Sequence, residues 1–313
     1  MLRAMKIAVT GATGFVGSNL VSHLVASGHE ITAISRSGRS LPGWAGEVTP
    51  RAVDVTTGDL DAAFVGADAV VHLVAIPRES RGRRFEDVNV VGTRRVVAAA
   101  ERAGVGRLVH QSVLGVSDAP GLAYLSSKWR AEQAVRASAL DWVILRPSLL
   151  FGPGDGFFRL VRTTLRWWSP GIVVVPGRGD TRFQPLSVGD MALAIERSVV
   201  DADRTHATYE LGGPRWMTYR EILDAVMAAT GMHRLKVGMP VPLLSAITAV
   251  TDRILPIFPV SHDQIGSLSR PNSTDLDAFE RAFELPPRDV DLSYLGRPDP
   301  SQELTPGPIL RDT

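Results

Sequence analysis

The sequence predicts a parallel α/β sheet covered by helices on both faces, and three observations carry that prediction. Short β-branched runs alternate with longer helical patterns through the first half of the chain. Most of those runs are apolar through their centres instead of strictly alternating, as strands buried on both sides are. The first run also passes into the first helix through a glycine-rich turn, Thr10-Gly11-Ala12-Thr13-Gly14-Phe15-Val16-Gly17.

Strands are expected at Ile7–Thr10, Ile31–Ile34, Arg51–Val55, Ala69–Val74, Arg107–Ser112 and Trp142–Arg146. Between the first two, Val16, Leu20, Val21, Leu24 and Val25 recur at helical spacing and Gly28 supplies the stop. Further helices are expected at Val88–Ala103 and Tyr124–Ala137. After Pro147 the rhythm is lost: Phe151–Phe158 is a glycine-rich loop, and Gly171–Arg182 carries IVVV followed by PGRGDTR. A helix at Val188–Val199, a strand at Thr208–Leu211, a helix at Thr218–Thr230 and a terminal helix near Thr274–Phe283 follow. From Arg297 the chain is proline-rich and polar, which predicts a flexible tail over 298–313. The expected organisation is a nucleotide-binding domain over 1–150, its sheet completed by parts of 172–212, and a C-terminal lobe over 151–297.

Composition narrows the function classes. With 34 basic and 33 acidic side chains among 313 residues, the net charge is +1, so no global field draws the chain to nucleic acid. Without cysteine there is no disulfide, no thiolate metal site and no cysteine nucleophile. No histidine or carboxylate grouping has metal-ligand spacing, so no metal is expected. Met1–Met5 runs straight into the first strand without a signal arrangement, which predicts a cytoplasmic protein. Met239–Val260 is apolar but broken by Asp252, Arg253 and four prolines, so no membrane span is expected. Core packing and an exposed amphipathic helix on a membrane are its two remaining fates.

The glycine turn carries the strongest functional signal. Gly11 allows the tight exit from the strand, Gly14 lets the backbone approach a pyrophosphate, and Gly17 permits close helix–strand packing. The helix start, with Thr13, Phe15 and Val16, offers unpaired amides to the phosphates. The end of the second strand selects between the nicotinamide cofactors, because an acidic residue there binds the ribose 2′-hydroxyl. The chain has Ser35-Arg36-Ser37-Gly38-Arg39 instead, and Arg36 and Arg39 favour NADP over NAD. Asp54 and Val55, ending the third strand, would approach the adenine, with a surface aspartate at a strand end an almost equal reading of Asp54.

Several stretches together resemble a known family. They are TGATGFVG at Thr10–Gly17, HLVAI at His72–Ile76, Asn89–Ser112, YLSSK at Tyr124–Lys128 and LRPSLLFGPGDGFF at Leu145–Phe158, with RFQPLSVGDMALAI and YELGGPRWMTYREILDAV further on. The chain resembles the extended and atypical short-chain dehydrogenase/reductases, in the branch that includes the NADPH-binding accessory subunit of respiratory complex I. The resemblance covers about residues 5 to 285. It implies a Rossmann-type doubly wound sheet with a smaller α+β substrate lobe, and cofactor contacts from Val74 and Ala75. It also implies a tyrosine acid/base whose pKa is lowered by a lysine one helical turn on, with a serine or threonine after the fifth strand positioning the substrate oxygen.

Tyr124 and Lys128 have the i, i+4 spacing that puts both on one helix face, where an ammonium favours the phenolate, and the resemblance implies that Lys128 also holds the cofactor ribose. The third member is open: Ser112 matches a structural serine, leaving Val113 at the catalytic position, or a one-residue shift presents Ser112 or Ser117 to substrate. Pro147 would close over the nicotinamide. Arg78, Arg81, Arg83 and Arg84 form a basic loop after the fourth strand, read as a solvated charge run before an anion site. His72 and His110 read as core histidines. Trp167 and Trp168 either line the substrate lobe or form a contact in a homodimer. Two functions follow: an NADP-dependent oxidoreductase or epimerase on a small-molecule substrate, or a non-catalytic NADPH-binding assembly protein.

Overall fold

The chain is described by a computed structural model over residues 4–44, 48–80, 82–118, 122–167, 171–244, 246 and 270–296. The strands are, in order, β1 (Lys6–Thr10), β2 (Glu30–Ser35), β3 (Val48–Ala52), β4 (Ala69–His72), β5 (Arg107–Gln111) and β6 (Asp141–Pro147). Then come β7 (Leu150–Phe151), β8 (Ile172–Pro176), β9 (Arg182–Phe183), β10 (Leu186–Ser187), β11 (Ala207–Leu211), β12 (Met217–Thr218) and β13 (Leu235–Met239). The helices are α1 (Phe15–Ala26), α2 (Leu60–Phe64), α3 (Gly92–Arg102), α4 (Ala123–Arg136), α5 (Phe157–Trp167), α6 (Val188–Val200), α7 (Tyr219–Thr230) and α8 (Ala278–Phe283).

Seven strands form one sheet in the order β11-β6-β5-β4-β1-β2-β3, and every neighbouring pair is parallel. Period-two alternation sorts its side chains onto two helical layers. Ile7, Val9, Val71, Val109 and Val143 pack with Leu20 and Leu24 of α1, Met191 and Ile195 of α6, and Phe279 and Phe283 of α8. Ala8, Ile34, Val70, Leu108 and Ile144 meet Phe64 of α2, Val96 and Ala100 of α3, and Val135 of α4. The doubly wound Rossmann-type sheet expected from the sequence is therefore present. A separate apolar cluster gathers α5, α7 and β8 through Phe158, Leu165, Val173, Val175, Ile222 and Val226.

The third strand is displaced from its expected place. It runs Val48–Ala52, not Arg51–Val55. Val53 still donates to Ser35 O at 2.9 Å, but Asp54 then turns the chain, with Gly58 N bonded to Asp54 O at 2.7 Å. The polar run TPRA reads poorly as a strand because β3 is an edge, where exposed residues and Pro50 are tolerated. The strands expected at 69–74 and 107–112 end earlier, at His72 and Gln111, and the terminal helix starts at Ala278. The segment expected as one helix from Val88 opens with a wide π turn, Glu86–Val91, before α3. The tail from Arg297, Arg81, Trp168, the Trp167 side chain and most of Met239–Val260 lie outside the described residues.

Strand order reverses between β1 and β4, so their carboxyl ends open a crevice at the switch point. Thr10 and His72 bridge it, Oγ1 to Nδ1, at 2.8 Å.

Candidate active site

The phosphate turn is built by what its residues lack. Gly11 sits at φ +76°, and a Cβ there would meet Val74 at 3.3 Å. A Cβ at Gly17 would overlap Gly11 O and the backbone of Ala12. Gly14 N donates to Gly11 O at 3.0 Å, and Gly14 caps α1 without a side chain. The first intrahelical bond is Ser18 N to Gly14 O, which leaves the amides of Phe15, Val16 and Gly17 ahead of any helical acceptor. No acidic residue stands in the first turn to repel an anion. A dinucleotide pyrophosphate fits this cradle.

At the adenosine end, Ser35 is buried and its Oγ accepts from Gly38 N at 3.1 Å, while Arg36 and Arg39 are exposed. Asp54 accepts from Thr56 N and Oγ1 at 2.8 and 2.7 Å through one oxygen. Burial alone would raise its pKa; the Thr56 bonds, then the Arg36 and Arg83 charges, hold it below the ordinary value. Val55 points its side chain into the α2–α3 core.

The proton-transfer corner lies one strand further on. Tyr124 and Lys128 share a face of α4, and Glu132 extends the ladder by another turn. Tyr124 packs with Ile76, Phe85 and Val88, its ring 5.8 Å from that of Phe85. Burial in that apolar wall pushes its phenol up to about 12. Lys128 is 3% exposed and donates from Nζ to Gln111 O at 2.7 Å. Burial lowers its pKa to about 8, partly offset by the Glu132 carboxylate. Glu132 is fully buried and held by Arg146, Nε to Oε1 at 2.9 Å and Nη2 to Oε2 at 2.7 Å, with Arg136 at 3.3 Å. Burial works against its charge, but the Arg146 hydrogen bonds and the Arg146 charge keep it below the ordinary glutamate range.

Ser112 is 4% exposed and its hydroxyl faces Glu132, whereas the next residue, Val113, is half-buried. Pro147 ends β6 and accepts from Leu114 N at 2.9 Å. Ser148 Oγ then donates to Asn272, which ties the loop after β6 to the C-terminal segment at 2.6 Å. Val74 and Ala75 follow β4 directly, on the rim of the crevice.

A family model described as NAD(P)H-binding matches residues 11–164. The chain is 30% identical over 300 residues to NADH dehydrogenase (ubiquinone) 1 alpha subcomplex subunit 9, mitochondrial, of Arabidopsis thaliana, covering 91% of this chain and 73% of that one. It is 29% identical to 2-alkyl-3-oxoalkanoate reductase of Stenotrophomonas maltophilia, covering 81% and 84%. The solved structure of MoeE5 in complex with UDP-glucuronic acid and NAD superposes with a TM-score of 0.70 at 25% identity, covering 91% and 94%. The chain belongs to the NAD(P)H-binding short-chain dehydrogenase/reductases.

Within this short-chain dehydrogenase/reductase, several site residues escaped the sequence reading. Asn89, turned inward by the π turn, accepts from Ile76 N at 2.8 Å and donates to Ser127 Oγ at 2.9 Å, and Ser127 bonds Tyr124 O at 2.7 Å. It thus pins the loop after β4 to the helix that carries Tyr124. Glu132 was readable only as a further i+4 step. His72 is satisfied by Thr10 and by Thr93 at 3.0 Å, as a core histidine should be. His110, stacked on it at 5.3 Å, has neither ring nitrogen bonded. Burial first, then the Lys128 charge, lowers His72 to about 3 and His110 well below 6.5. Among the described residues no cluster of histidines and carboxylates could hold a metal, and no helix is long and apolar enough to cross a membrane.

Proposed function

We propose that this chain is an NADP-dependent oxidoreductase that reduces the carbonyl of an apolar small molecule beside Tyr124. The observation that carries the reading is a phenol set in an apolar wall one helical turn before a buried lysine. Gly11, Gly14 and Gly17 with the amides of Phe15 and Val16 would hold the pyrophosphate, and Arg36 the 2′-phosphate. A bound nicotinamide supplies the hydride that reaches the carbonyl carbon. Tyr124 donates its proton to the carbonyl oxygen, and Lys128 is the cation that stabilises the phenolate left behind and binds the ribose. Glu132, held by Arg146, keeps Lys128 from losing its charge altogether in its buried setting. Ser112, buried at the end of β5 with its hydroxyl unbonded, has no part in proton transfer in this reading. The wall of Ile76, Phe85 and Val88 suits an alkyl-bearing ketone, the substrate class named for the Stenotrophomonas relative.

The test follows NADPH oxidation with a panel of 2-alkyl-3-oxoalkanoates and simple ketones. Tyr124→Phe is expected to lower turnover by about 10²–10⁴-fold while NADPH affinity stays unchanged. Equal turnover by wild type and variant would rule out Tyr124 as the proton donor.

One observation favours a second reading, that of a cofactor-binding assembly protein. Only burial shifts Tyr124, upward, with no lowering by Lys128, and Val113 follows Ser112 where a hydroxyl would orient a carbonyl. On that reading NADPH raises the melting temperature, as any ligand of the native state does, and no ketone in the panel is reduced.

A further inference from the structure

The C-terminal segment brings Asn272 to the carboxyl edge of the sheet, where the proposed chemistry gives it no role. Asn272 N donates to Arg182 O at 2.9 Å, and the residue forms a parallel bridge with Phe183, whose ring is buried in the lobe cluster with Phe158 and Ile222. The side chain reaches the other way, to the sheet. Its Oδ1 accepts from Ser148 Oγ, just past β6, at 2.6 Å, and its Nδ2 donates to Leu114 O, in the loop after β5, at 3.1 Å. The Asn272 carbonyl lies 2.7 Å from the same Ser148 hydroxyl. Every polar atom of Asn272 is therefore engaged, on elements far apart in the chain.

What Asn272 holds is the continuation of β5. Gln111 O, the last carbonyl of that strand, accepts from Lys128 Nζ, so the residues after it leave the sheet beside the proton-transfer corner. Ser112 N donates to Leu145 O at 2.7 Å and Leu114 N to Pro147 O at 2.9 Å, which sets half-buried Val113 between two backbone bonds to β6. Leu114 is thus gripped from both sides, by Pro147 through its amide and by Asn272 through its carbonyl. Gly115 then reverses the chain at φ +77°. Ile76 and Phe85 reach the corner from the β4 side, whereas the bond to Pro147 draws the Leu114 loop to the β6 side. Ligands of open parallel sheets bind outside these carboxyl ends. An isopropyl group has no hydrogen bond to offer a carbonyl, so Val113 can act on a substrate only through shape, and a shape filter needs a wall held in place by its supports.

We propose that Asn272 is a positioning residue for the reduction: it clamps the Val113–Gly115 loop against β6, so that Val113 forms the second wall of the site and selects ketones by the alkyl branch next to the carbonyl. The proposal rests on the reductase reading above and deepens it. The C-terminal lobe acts on the substrate through the Asn272 amide without touching it.

Steady-state reduction by NADPH of a 2-alkyl-3-oxoalkanoate and of its unbranched 3-oxoalkanoate tests this, with wild type, Asn272→Asp, Val113→Ala and the double variant. Asn272→Asp keeps the acceptor for Ser148 and loses the donor to Leu114 O. Wild type should favour the branched ketone in kcat/KM by about tenfold or more, the worth of a methylene in a fitted pocket. In Asn272→Asp the KM for that ketone should rise by about two- to tenfold, the worth of one hydrogen bond, with a smaller fall in kcat and unchanged NADPH affinity by fluorescence titration. Val113→Ala should lose the same preference, and the double variant should lose no more than either single change, because both act on one contact. Should Asn272→Asp fail to fold, Asn272→Ala takes its place, removing the donor without adding a charge. Additive losses, or an equal fall for both ketones, would show that Asn272 only supports the fold, and the reductase reading would stand. Wild type without a preference for the branched ketone overturns the proposal alone. If wild type reduces neither ketone, both fall.

Discussion

The phosphate turn after β1 and the proton-transfer corner at β5 and β6 share one sheet with β4 between them, yet they are made in opposite ways. Between Gly11 and Gly17 the working parts are backbone amides and missing side chains, all within one strand–helix junction. Around Lys128 the working parts are charges from α4 and β6 and a carbonyl from β5, each charge tolerable only because a partner stands beside it. The first region works through geometry and is local. The second works through charge balance and is assembled across the fold.

The sharpest way to break the comparison is to remove the counter-charge. Glu132→Gln leaves Arg146 with only the exposed Glu210 at 3.5 Å and Arg136 without a carboxylate, and because both arginines are partly exposed the loss should fall below the ~3–5 kcal/mol of a fully buried broken pair. Urea unfolding would measure that loss, and the pKa of Lys128 should fall further below about 8. A variant as stable as wild type would show that the corner does not depend on charge balance.

The phosphate turn should fail differently. Gly17→Ala forces a methyl into Gly11 O and Ala12, at an overpacking cost of about 1–3 kcal/mol. Dinucleotide affinity should fall for NADPH and NADH alike, because the pyrophosphate is common to both. A thermal melt and a titration with each cofactor suffice, and selective loss of one cofactor would contradict the assignment.

The smallest effect at neutral pH should come from His110. Its ring nitrogens are unpaired, so His110→Leu should leave stability at pH 7 unchanged or slightly raised. Acid is the discriminating condition. The folded-state pKa of both histidines lies below the ordinary 6.5, so below that pH only the unfolded chain takes up their protons. Their stability contribution is present above pH 6.5 and lost as pH falls towards about 3, the folded value of His72. Each should contribute a slope of about 1.4 kcal/mol per pH unit over that window. His110→Leu should remove about one proton from the slope by chemical denaturation at stepped pH; an unchanged slope would mean that His110 titrates when folded.

Much of the fold was legible because each signal was local. The runs around Ile7, Ile31, Val70, Leu108 and Val143 became the sheet, and the helix beginning at Phe15 followed its glycine turn. The third strand was misplaced because an edge strand such as TPRA needs no apolar faces, and a pattern reader has nothing else to follow. Tyr124 and Lys128 stood out through their i, i+4 spacing between the fifth and sixth strands together with the family resemblance, and both lie on α4. Asn89 was missed because nothing in its own helix shows that Ile76 and Ser127 lie beside it.

By itself the sequence determined the nucleotide-binding class of this protein. A glycine turn needs only its own backbone to cradle a pyrophosphate, and that backbone is specified where Gly11, Gly14 and Gly17 occur. Only the tertiary structure decided which charges meet. It paired Glu132 with Arg146, set Lys128 against Gln111 O and left His110 without a bond. The physical reason is that electrostatic energy in a low-dielectric interior depends on distance through space, and neighbours in space come from strands that are far apart in the chain.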